Sequence, residues 1–257
     1  MKISTWNVNS LRVRLPQLLD WLKTNPVDVI GIQETKLTDA DFPGEAVSAA
    51  GYQWAHNGQK TYNGVALLSR QPLQDLSRDI PGFADEQKRV IAATVAGVRV
   101  INVYVPNGQA VGSEKYQYKL RWLAALHDYL RAELATHPLL AVTGDFNIAP
   151  ADEDVHDPAA WKDQILCSAE ERGAFQALLR AGLKDSFRLA QQPAASFTWW
   201  DYRQAGFRRN LGLRIDHVLA SDALAGCFEQ SVIDVEPRRN DRPSDHTPLT
   251  SQFSLPV

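Results

Sequence analysis

Short apolar segments that end in polar residues recur along the chain and predict a fold built on β-sheets. Turn-forming residues such as Gly, Pro and Asn bound these segments, and apolar runs of about 4–8 residues between such boundaries are typical of buried strands. The predicted strands cover residues 3–6, 27–32, 65–69, 90–95, 98–105, 139–144, 197–200, 213–220 and a final segment that ends at Phe253. The strand at 27–32 is mostly apolar, which favours a sheet that is covered on both faces.

Helical periodicity separates several of these strands. Leucines recur at intervals of three and four over residues 15–22, and a longer amphipathic pattern predicts a helix from about 113 to 135. Ser168 and Glu171 have the spacing of a capping box and predict the start of a further helix. Because no linker, repeat or low-complexity segment interrupts the pattern, we predict one domain over residues 1–257.

Composition narrows the class of protein. The chain has 257 residues, 44% of them hydrophobic, and a formal net charge of −3, so it has no overall basic field, although a local basic surface remains compatible with this charge. Cys167 and Cys227 do not have zinc-ligand spacing and are expected to be free thiols. The sequence has neither a signal-like segment nor an apolar run long enough to span a membrane, so we expect a soluble, cytoplasmic protein.

Asp145 and Asn147 follow directly after the apolar run at 139–144. In extended backbone, residues two apart share a face, so both polar side chains would point the same way while Phe146 packs inside. A turn in which Asp and Asn bond to their own backbone is the ordinary alternative for such a pair. The functional interpretation depends on partners elsewhere in the chain.

Such partners occur at the ends of the other predicted strands. They are Asn7, Glu34, Tyr104, Asp216, Asp245 and His246. Strand ends converge at one rim of a sheet, and carboxylates with amides favour Mg²⁺ or Mn²⁺ over zinc. Asp216 and His246 also suit a carboxylate–imidazole pair that keeps the ring protonated. Together these residues indicate hydrolysis of a phosphoester, although Glu34 alone is equally typical of a solvated strand edge.

The blocks that carry these residues resemble the exonuclease III family. They are Trp6-Asn7-Val8-Asn9, Ile32-Gln33-Glu34-Thr35-Lys36, Gly144-Asp145-Phe146-Asn147-Ile148-Ala149-Pro150, Gly212-Leu213-Arg214-Ile215-Asp216 and Pro243-Ser244-Asp245-His246. That family comprises apurinic/apyrimidinic (AP) endonucleases of the endonuclease/exonuclease/phosphatase superfamily, and the similarity runs from end to end. It implies a DNase I-like, four-layered α/β sandwich, in which two mixed β-sheets pack face to face with helices outside.

The resemblance also implies site roles. The metal ligands or their close neighbours would be Asn7, Glu34, Asp145, Asn147, Asp245 and His246, with Glu34 as the principal ligand. Asp145 would orient or deprotonate the attacking water, and Asn147 would hold that water or a phosphate oxygen. Tyr104 would contact the phosphate, and His246, held by Asp216, would stabilise the developing charge. Whether Asp145 or His246 is the base, and whether one or two metals act, stays open.

The implied partner is double-stranded DNA with an abasic site, a nick or a blocked 3′ end, bound by a monomer. The implied substrate-binding residues are Lys60, Tyr62, Asn107, Trp199, Arg203, Leu213 and Ile215. For the apolar members of this set, plain core packing is the alternative. Two groups of arginines flank the catalytic blocks and would grip phosphates, or would form an ordinary solvated surface: Arg203, Arg208, Arg209 and Arg214, and Arg238, Arg239 and Arg242.

Activity within the family divides among AP-site incision, removal of 3′ blocking groups and 3′→5′ exonuclease action. The segment 161–168 carries the bulky Ile165 and Leu166, which would hinder an extrahelical sugar. Our hypothesis is therefore that 3′-end processing exceeds AP incision. The alternatives are a non-catalytic nucleic-acid-binding regulator on the same fold and a phosphodiesterase that acts on a small phosphoester.

Overall fold

Two six-stranded sheets face each other in the computed structural model, which describes residues 1–255. The strands are β1 (Lys2–Asn7), β2 (Val29–Gln33), β3 (Gln53–Asn57), β4 (Val65–Ser69), β5 (Gln74–Arg78), β6 (Val90–Val95), β7 (Val98–Tyr104), β8 (Leu140–Asp145), β9 (Leu183–Asp185), β10 (Trp199–Trp200), β11 (Gly212–Leu213), β12 (Asp216–Ser221), β13 (Phe228–Ile233) and β14 (Leu249–Phe253). The α-helices are α1 (Leu11–Thr24), α2 (Gly44–Ala49), α3 (Glu114–Thr136), α4 (Pro158–Trp161), α5 (Ala169–Arg180) and α6 (Asp222–Ala225).

Both sheets are mixed, and each contains one parallel pair. The first sheet has the order β13-β14-β1-β2-β4-β3, and β1 and β2 are its parallel neighbours. The second has the order β5-β6-β7-β8-β12-β9, with β7 and β8 parallel. The remaining neighbours in each sheet are antiparallel.

Three apolar clusters produce four layers. One cluster lies between the sheets and includes Ile3 and Val29 from the first sheet and Val100 and Val218 from the second. A second cluster joins the outer face of the first sheet to α1, and a third joins the outer face of the second sheet to α3 and α5. The predicted four-layered α/β sandwich is therefore confirmed.

The strands that the apolar pattern missed are all edge strands. β3 and β13 are the edges of the first sheet, and β5 and β9 are the edges of the second. Edge strands expose one side to water and carry fewer apolar residues, as in the mostly exposed β5. Periodicity alone therefore gives little sign of them.

The strand predicted at 213–220 is interrupted. β11 pairs with β10 in a separate two-stranded ribbon, and β12 begins at Asp216 in the second sheet. Between them the N–H of Arg214 donates to the carbonyl of Asp154 at 2.9 Å. The predicted strand at 197–200 likewise shortens to Trp199–Trp200.

The predicted helix signals are confirmed. Ser113 caps α3 by accepting a hydrogen bond from the N–H of Tyr116, and the capping box of Ser168 and Glu171 opens α5. In the described part of the chain, every helix is too short or too polar to cross a membrane.

Candidate active site

The ends of the two parallel strand pairs bring the polar residues together. Asn7 ends β1 and Glu34 follows β2, while Tyr104 ends β7 and Asp145 ends β8. Parallel neighbours end at the same edge of a sheet, and the two sheets face each other here. Nδ2 of Asn7 joins them by donating to Oε1 of Glu34 and to Oδ2 of Asp145, both at 2.9 Å. The predicted convergence of strand ends is thus present in the structure.

Antiparallel neighbours supply the other half of the site. Asp216 starts β12 and pairs in register with Asp145, and His246 lies just before β14, which runs antiparallel to β1. Nδ1 of His246 donates to Oδ2 of Asp216 at 2.9 Å, and its Nε2 lies 3.7 Å from Oδ2 of Asp145. All three side chains are buried. The ring is therefore held between two carboxylates.

Burial and excess negative charge shift the pKa values of this group. Burial raises the pKa of Asp145 to about 7; the Asp216 carboxylate adds to this rise, and His246 and Asn7 oppose it. Burial alone would lower the pKa of His246, but Asp216 and Asp145 outweigh it and raise that pKa to about 10. At neutral pH the imidazole is therefore a cation that faces the site.

The turn after β2 holds Glu34 in an unusual backbone conformation. Glu34 and Lys36 have φ values of 54° and 55°, in the left-handed region that side chains other than Gly seldom adopt. Nζ of Lys36 lies 3.1 Å from Oε2 of Glu34 and donates to Oδ1 of Asn9 at 2.6 Å. Such conformations cluster at functional sites. Asn9 and Lys36 belong to the family-like blocks, but the sequence pattern indicates no role for either.

Asp245 lies outside this inner group. Its two carboxylate oxygens accept hydrogen bonds from Nδ2 of Asn9 at 2.9 Å and from Nε1 of Trp199 at 3.0 Å. Through Asn9 and Lys36 it is connected to Glu34. Its assignment as a metal ligand stays a prediction.

The inner group has donor atoms suited to a divalent cation. Within residues 1–255, one set of acidic, His or Cys side chains has ligand atoms close enough to share an ion, and these atoms lie within 4.8 Å of one another: Glu34, Asp145 and His246. Oδ1 of Asp216 is buried beside them without a hydrogen-bond partner. Carboxylate oxygens in excess of positive charge fit a hard cation such as Mg²⁺. Glu34 and Asp145, with the Asn7 amide beside them, would hold it.

Tyr104 is positioned by Arg89. The guanidinium donates to the carbonyl of Tyr104 at 3.1 Å, and its carbon lies 4.8 Å from the centre of the phenol ring. Burial raises the pKa of Tyr104 well above its usual value of 10, and the Glu34 and Asp145 carboxylates add to the rise. The phenol is therefore neutral and can donate a hydrogen bond to a phosphate oxygen.

Asn147 takes part in both the local turn and the site. Its N–H donates to Oδ1 of Asp145 at 2.8 Å, so the ordinary turn interpretation is correct as far as it goes. With φ at 50°, Asn147 leaves the extended strand, contrary to the shared face expected from strand alternation. Its side chain nevertheless stays in the site, because Nδ2 donates to the carbonyl of Val105 at 3.0 Å and Oδ1 accepts from Asn107 at 3.1 Å.

Two cavities flank the candidate catalytic groups. One, of about 800 Å³, is lined by residues that include Tyr62, Arg89, Tyr104, Asn107 and Lys115. The other, of about 340 Å³, is lined by residues that include His156, Trp161, Trp199 and Arg203. Tyr62 is 67% exposed, and Lys60 beside it is also exposed. The accessible substrate-binding candidates thus lie on both sides of the site.

Other substrate-binding predictions need correction. Leu213 and Ile215 have at most 1% of their surface exposed and pack with Val155 and Leu166, so the structure favours core packing for them. Arg214 is buried and bonded to Asp154, and Arg238 is buried and donates to the carbonyl of Ser244. These two arginines therefore do not belong to a solvent-facing phosphate rim.

Two further sequence patterns do not indicate the burial that the structure shows. The acidic segment 151–163 resembles a solvated loop in sequence, but Asp154 is buried because it pairs with Arg214 and Arg188. The start of α3 resembles a mixed surface, but Tyr116 and Lys119 are buried. Residue type alone does not distinguish a solvated charge from a buried pair whose partner is distant in sequence.

Comparison with known proteins agrees with this geometry. A sequence profile described as the Endonuclease/Exonuclease/phosphatase family matches residues 4–246. The exodeoxyribonuclease III of Haemophilus influenzae is 38% identical over 98% of this chain and 100% of its own length. The structure of a 3′ phosphatase from Neisseria, NExo, bound to a product DNA hairpin, is 51% identical, with a TM-score of 0.97 over 99% of this chain and 100% of that one. An AP endonuclease from Archaeoglobus fulgidus is 37% identical, with a TM-score of 0.96 over 99% of this chain and 100% of that one.

Proposed function

The chain belongs to the endonuclease/exonuclease/phosphatase family, and we propose that it acts on the blocked 3′ ends of damaged DNA. It is a DNA repair phosphodiesterase of exodeoxyribonuclease III type, a hydrolytic nuclease. The observation that carries the hydrolytic function is the group at the strand ends, in which one oxygen each of Glu34 and Asp145 and one ring nitrogen of His246 lie within 4.8 Å of one another.

Mg²⁺ is the proposed cofactor. A divalent cation bound to Glu34 and Asp145 would supply charge stabilisation for the phosphate oxygens. Mg²⁺ suits oxygen ligands and usually keeps several waters, which leaves room for a substrate phosphate. The unpartnered Oδ1 of Asp216 supports a site in which the protein's own donors do not satisfy every carboxylate oxygen.

The chain's own residues would divide the remaining work. Asp145 would orient the attacking water and take its proton, since Asn7 and the N–H of Asn147 fix its two oxygens. The protonated His246 would face the phosphate and stabilise the charge that develops on it. Tyr104 would donate a hydrogen bond to a phosphate oxygen.

Preference for 3′ ends is supported by the segment before α5. Ile165 is half-buried and packs against the same apolar cluster as Trp199. Its Cδ1 lies so close to Gly108 that a Cβ at that position would be only 3.0 Å away. Ile165 therefore packs closely against the loop after β7, and we expect it to restrict the entry of an internal abasic sugar beside Gly108. Leu166, by contrast, is buried and does not face this space.

A substrate panel tests the proposal. The chain is incubated with duplexes that carry a 3′-phosphate nick, an internal abasic analogue or a blunt end, each with Mg²⁺ or with EDTA. We expect the 3′-phosphate to be removed fastest and all cleavage to stop in EDTA. Faster cleavage of the abasic duplex would contradict the 3′-end preference, and full activity in EDTA would contradict the metal site.

Ile165→Ala sharpens the same test. Removing the branched side chain should raise abasic incision relative to 3′-phosphate removal by several-fold, because it opens the space beside Gly108. Ile233→Ala, at the end of an edge strand of the first sheet, is the matched control and should leave the ratio unchanged. Complete inactivity of the wild-type chain on every duplex would favour the non-catalytic regulator. One domain, a monomeric state and a cytoplasmic location stay predictions.

A further inference from the structure

A buried lysine lies beneath the two loops that carry the active-site amides. Lys119, in the second turn of α3, has no exposed surface. Its Nζ donates to the carbonyl of Asn147 at 2.7 Å, to the carbonyl of Asn107 at 3.2 Å and to the carboxylate of Glu171. An ammonium has three N–H donors, and all three are used here.

The partner carboxylate is equally well occupied. Oε1 of Glu171 also accepts from the N–H of Leu166 at 3.1 Å, and Oε2 accepts from the N–H and the hydroxyl of Ser168 at 3.1 and 2.7 Å. The ion pair therefore connects α3, the start of α5, the segment before α5, and the loops after β7 and β8. Among the described residues, no other buried pair of a lysine or arginine with a carboxylate bonds to both of those loops.

The loops need such support. Asn147 has a left-handed φ of 50°, and its side chain bonds to that of Asn107 at 3.1 Å. Gly108 has a φ of 90°, and a Cβ there would lie 3.1 Å from Cδ of Lys119. The aliphatic part of Lys119 thus packs under Gly108, while its ammonium bonds to the carbonyls of Asn107 and Asn147.

We propose that Lys119 is a positioning residue for phosphoester hydrolysis, which holds the amides of Asn107 and Asn147 in register with Asp145. This inference rests on the proposed function. Without the ammonium, the two carbonyls lose their common donor, and the loop that carries the Asn147 side chain loses one of its anchors. A shift of about 1 Å in a catalytic group can lower the rate about 100-fold.

Charge-neutral replacement separates positioning from stability. Lys119→Met alone leaves the Glu171 carboxylate buried and unpaired, which should lower the melting temperature. The double variant Lys119→Met/Glu171→Gln removes both charges, so it should regain most of the melting temperature. If Lys119 positions the loops, kcat for 3′-phosphate removal should stay about 100-fold low in the double variant, with KM within about threefold of wild type.

Glu171→Gln provides a second variant. It keeps Lys119 and its two carbonyl contacts, so its loss of kcat should be smaller than that of Lys119→Met. A larger loss of kcat in Glu171→Gln than in Lys119→Met would overturn the proposal. It would show that the capping box of α5, and not Lys119, is responsible for the effect. All rates are compared per folded protein, with folding checked by circular dichroism.

The pair of Arg99 and Glu133 is a matched control. It joins β7 to the same helix α3 at 2.6 Å but lies at the opposite end of β7 from the site. Arg99→Met/Glu133→Gln should retain wild-type kcat, and an equal loss there would overturn a specific role for Lys119. Wild-type kcat in the Lys119→Met/Glu171→Gln variant would also overturn it. An inactive wild-type enzyme would instead reject the proposed function, and the positioning role with it.

Discussion

Two buried polar clusters lie on either side of the start of β12, and they differ in charge balance. The acidic cluster contains Glu34, Asp145, Asp216 and His246, whereas the arginine cluster contains Arg214, Asp154, Asp185, His217 and Arg188. In the acidic cluster, three carboxylates face one imidazole. In the arginine cluster, two guanidinium groups face two carboxylates.

The two buried histidines show how partners decide protonation. Asp216 and Asp145 raise the pKa of His246 to about 10. Burial lowers the pKa of His217 to about 4, and the Arg214 guanidinium adds to this effect. Arg214 lies 2.9 Å from Nδ1 of His217, and Nε2 of His217 lies 3.1 Å from the carbonyl of Ile148, which suits a neutral ring with its proton on Nε2.

Charge balance therefore distinguishes a structural cluster from a candidate site. The balanced arginine cluster is complete within the protein and ties the chain at Arg214 to the loop that holds Asp154. The acidic cluster has one carboxylate more than its two cations, His246 and Lys36, which favours the binding of a cation from solution. Each cluster combines buried carboxylates and a buried histidine with one partly exposed member, Glu34 or Arg188, so burial alone would not separate them.

The largest expected effect is a loss of kcat when a carboxylate of the acidic cluster is replaced. Asp145→Asn should lower kcat by about 10²–10⁴-fold, the usual contribution of a general base. Its melting temperature in metal-free buffer should not fall, because the substitution removes a charge that burial disfavours. Steady-state cleavage of a 3′-phosphate duplex and thermal unfolding in EDTA measure the two quantities. A variant that keeps wild-type kcat, or that unfolds well below wild type, would end the contrast between the clusters.

Arg214→Met should have the opposite profile. It leaves Asp154 and Asp185 without their shared guanidinium, and breaking a buried pair typically costs about 3–5 kcal/mol of unfolding free energy. Urea unfolding measures the loss, and kcat of the folded variant should fall less than in Asp145→Asn. If stability is unchanged, the arginine cluster is not the structural counterpart of the site.

The sequence predicted the site better than the structural cluster, for a physical reason. Asn7, Glu34 and Asp145 follow apolar runs at strand ends, and strand ends meet whatever the details of packing. Asp154 and Arg214, however, lie in irregular segments that are distant in sequence. Which segment covers which depends on the packing of loops, and local periodicity carries no information on that.

The strands divide in the same way into those that the sequence predicts and those that it does not. The central strands β2, β7 and β8 are apolar and were predicted, whereas β5 and β13 are exposed edges whose pattern resembles a loop. Lys119 lies in a helical segment of mixed polarity, and a lysine on such a helix is usually solvated, so the sequence does not predict its burial. Its burial follows from Glu171, which the capping box located without indicating the partner.

A pH series tests the neutral histidine of the arginine cluster. The folded protein binds a proton at His217 less readily than the unfolded chain, since the pKa is about 4 in the fold and 6.5 otherwise. The associated stability is therefore fully present above pH 6.5 and lost as the pH falls towards 4. Its size is about 3 kcal/mol, from about 1.4 kcal/mol for each unit of pKa.

His217→Gln isolates this contribution. Between pH 7 and pH 4, urea unfolding should show a steeper loss of stability for wild type than for the variant. The reason is that glutamine at position 217 does not titrate, whereas His217 must stay neutral in the folded protein. His56, whose pKa burial also lowers to about 4, contributes in both proteins and cancels in the difference. Parallel curves for the two proteins would contradict the assignment of a neutral His217.

The smallest expected effect concerns an exposed arginine, Arg203. Unlike the buried Arg214, it makes its ion pair in water. The Arg203 side chain is 85% exposed and pairs with Asp201 at 2.6 Å beside the cavity that contains Trp199. Because water screens this pair, Arg203→Ala should leave unfolding unchanged. If Arg203 contacts a DNA phosphate, KM should rise several-fold in Arg203→Ala. The slope of the logarithm of the binding constant against the logarithm of the salt concentration should also decrease by about one. Lys184→Ala removes an exposed cation from the edge strand β9, where Lys184 pairs with Ala220 near the end of β12, and it should change neither quantity. Equal effects in both variants would assign the change to net charge rather than to a contact at the site.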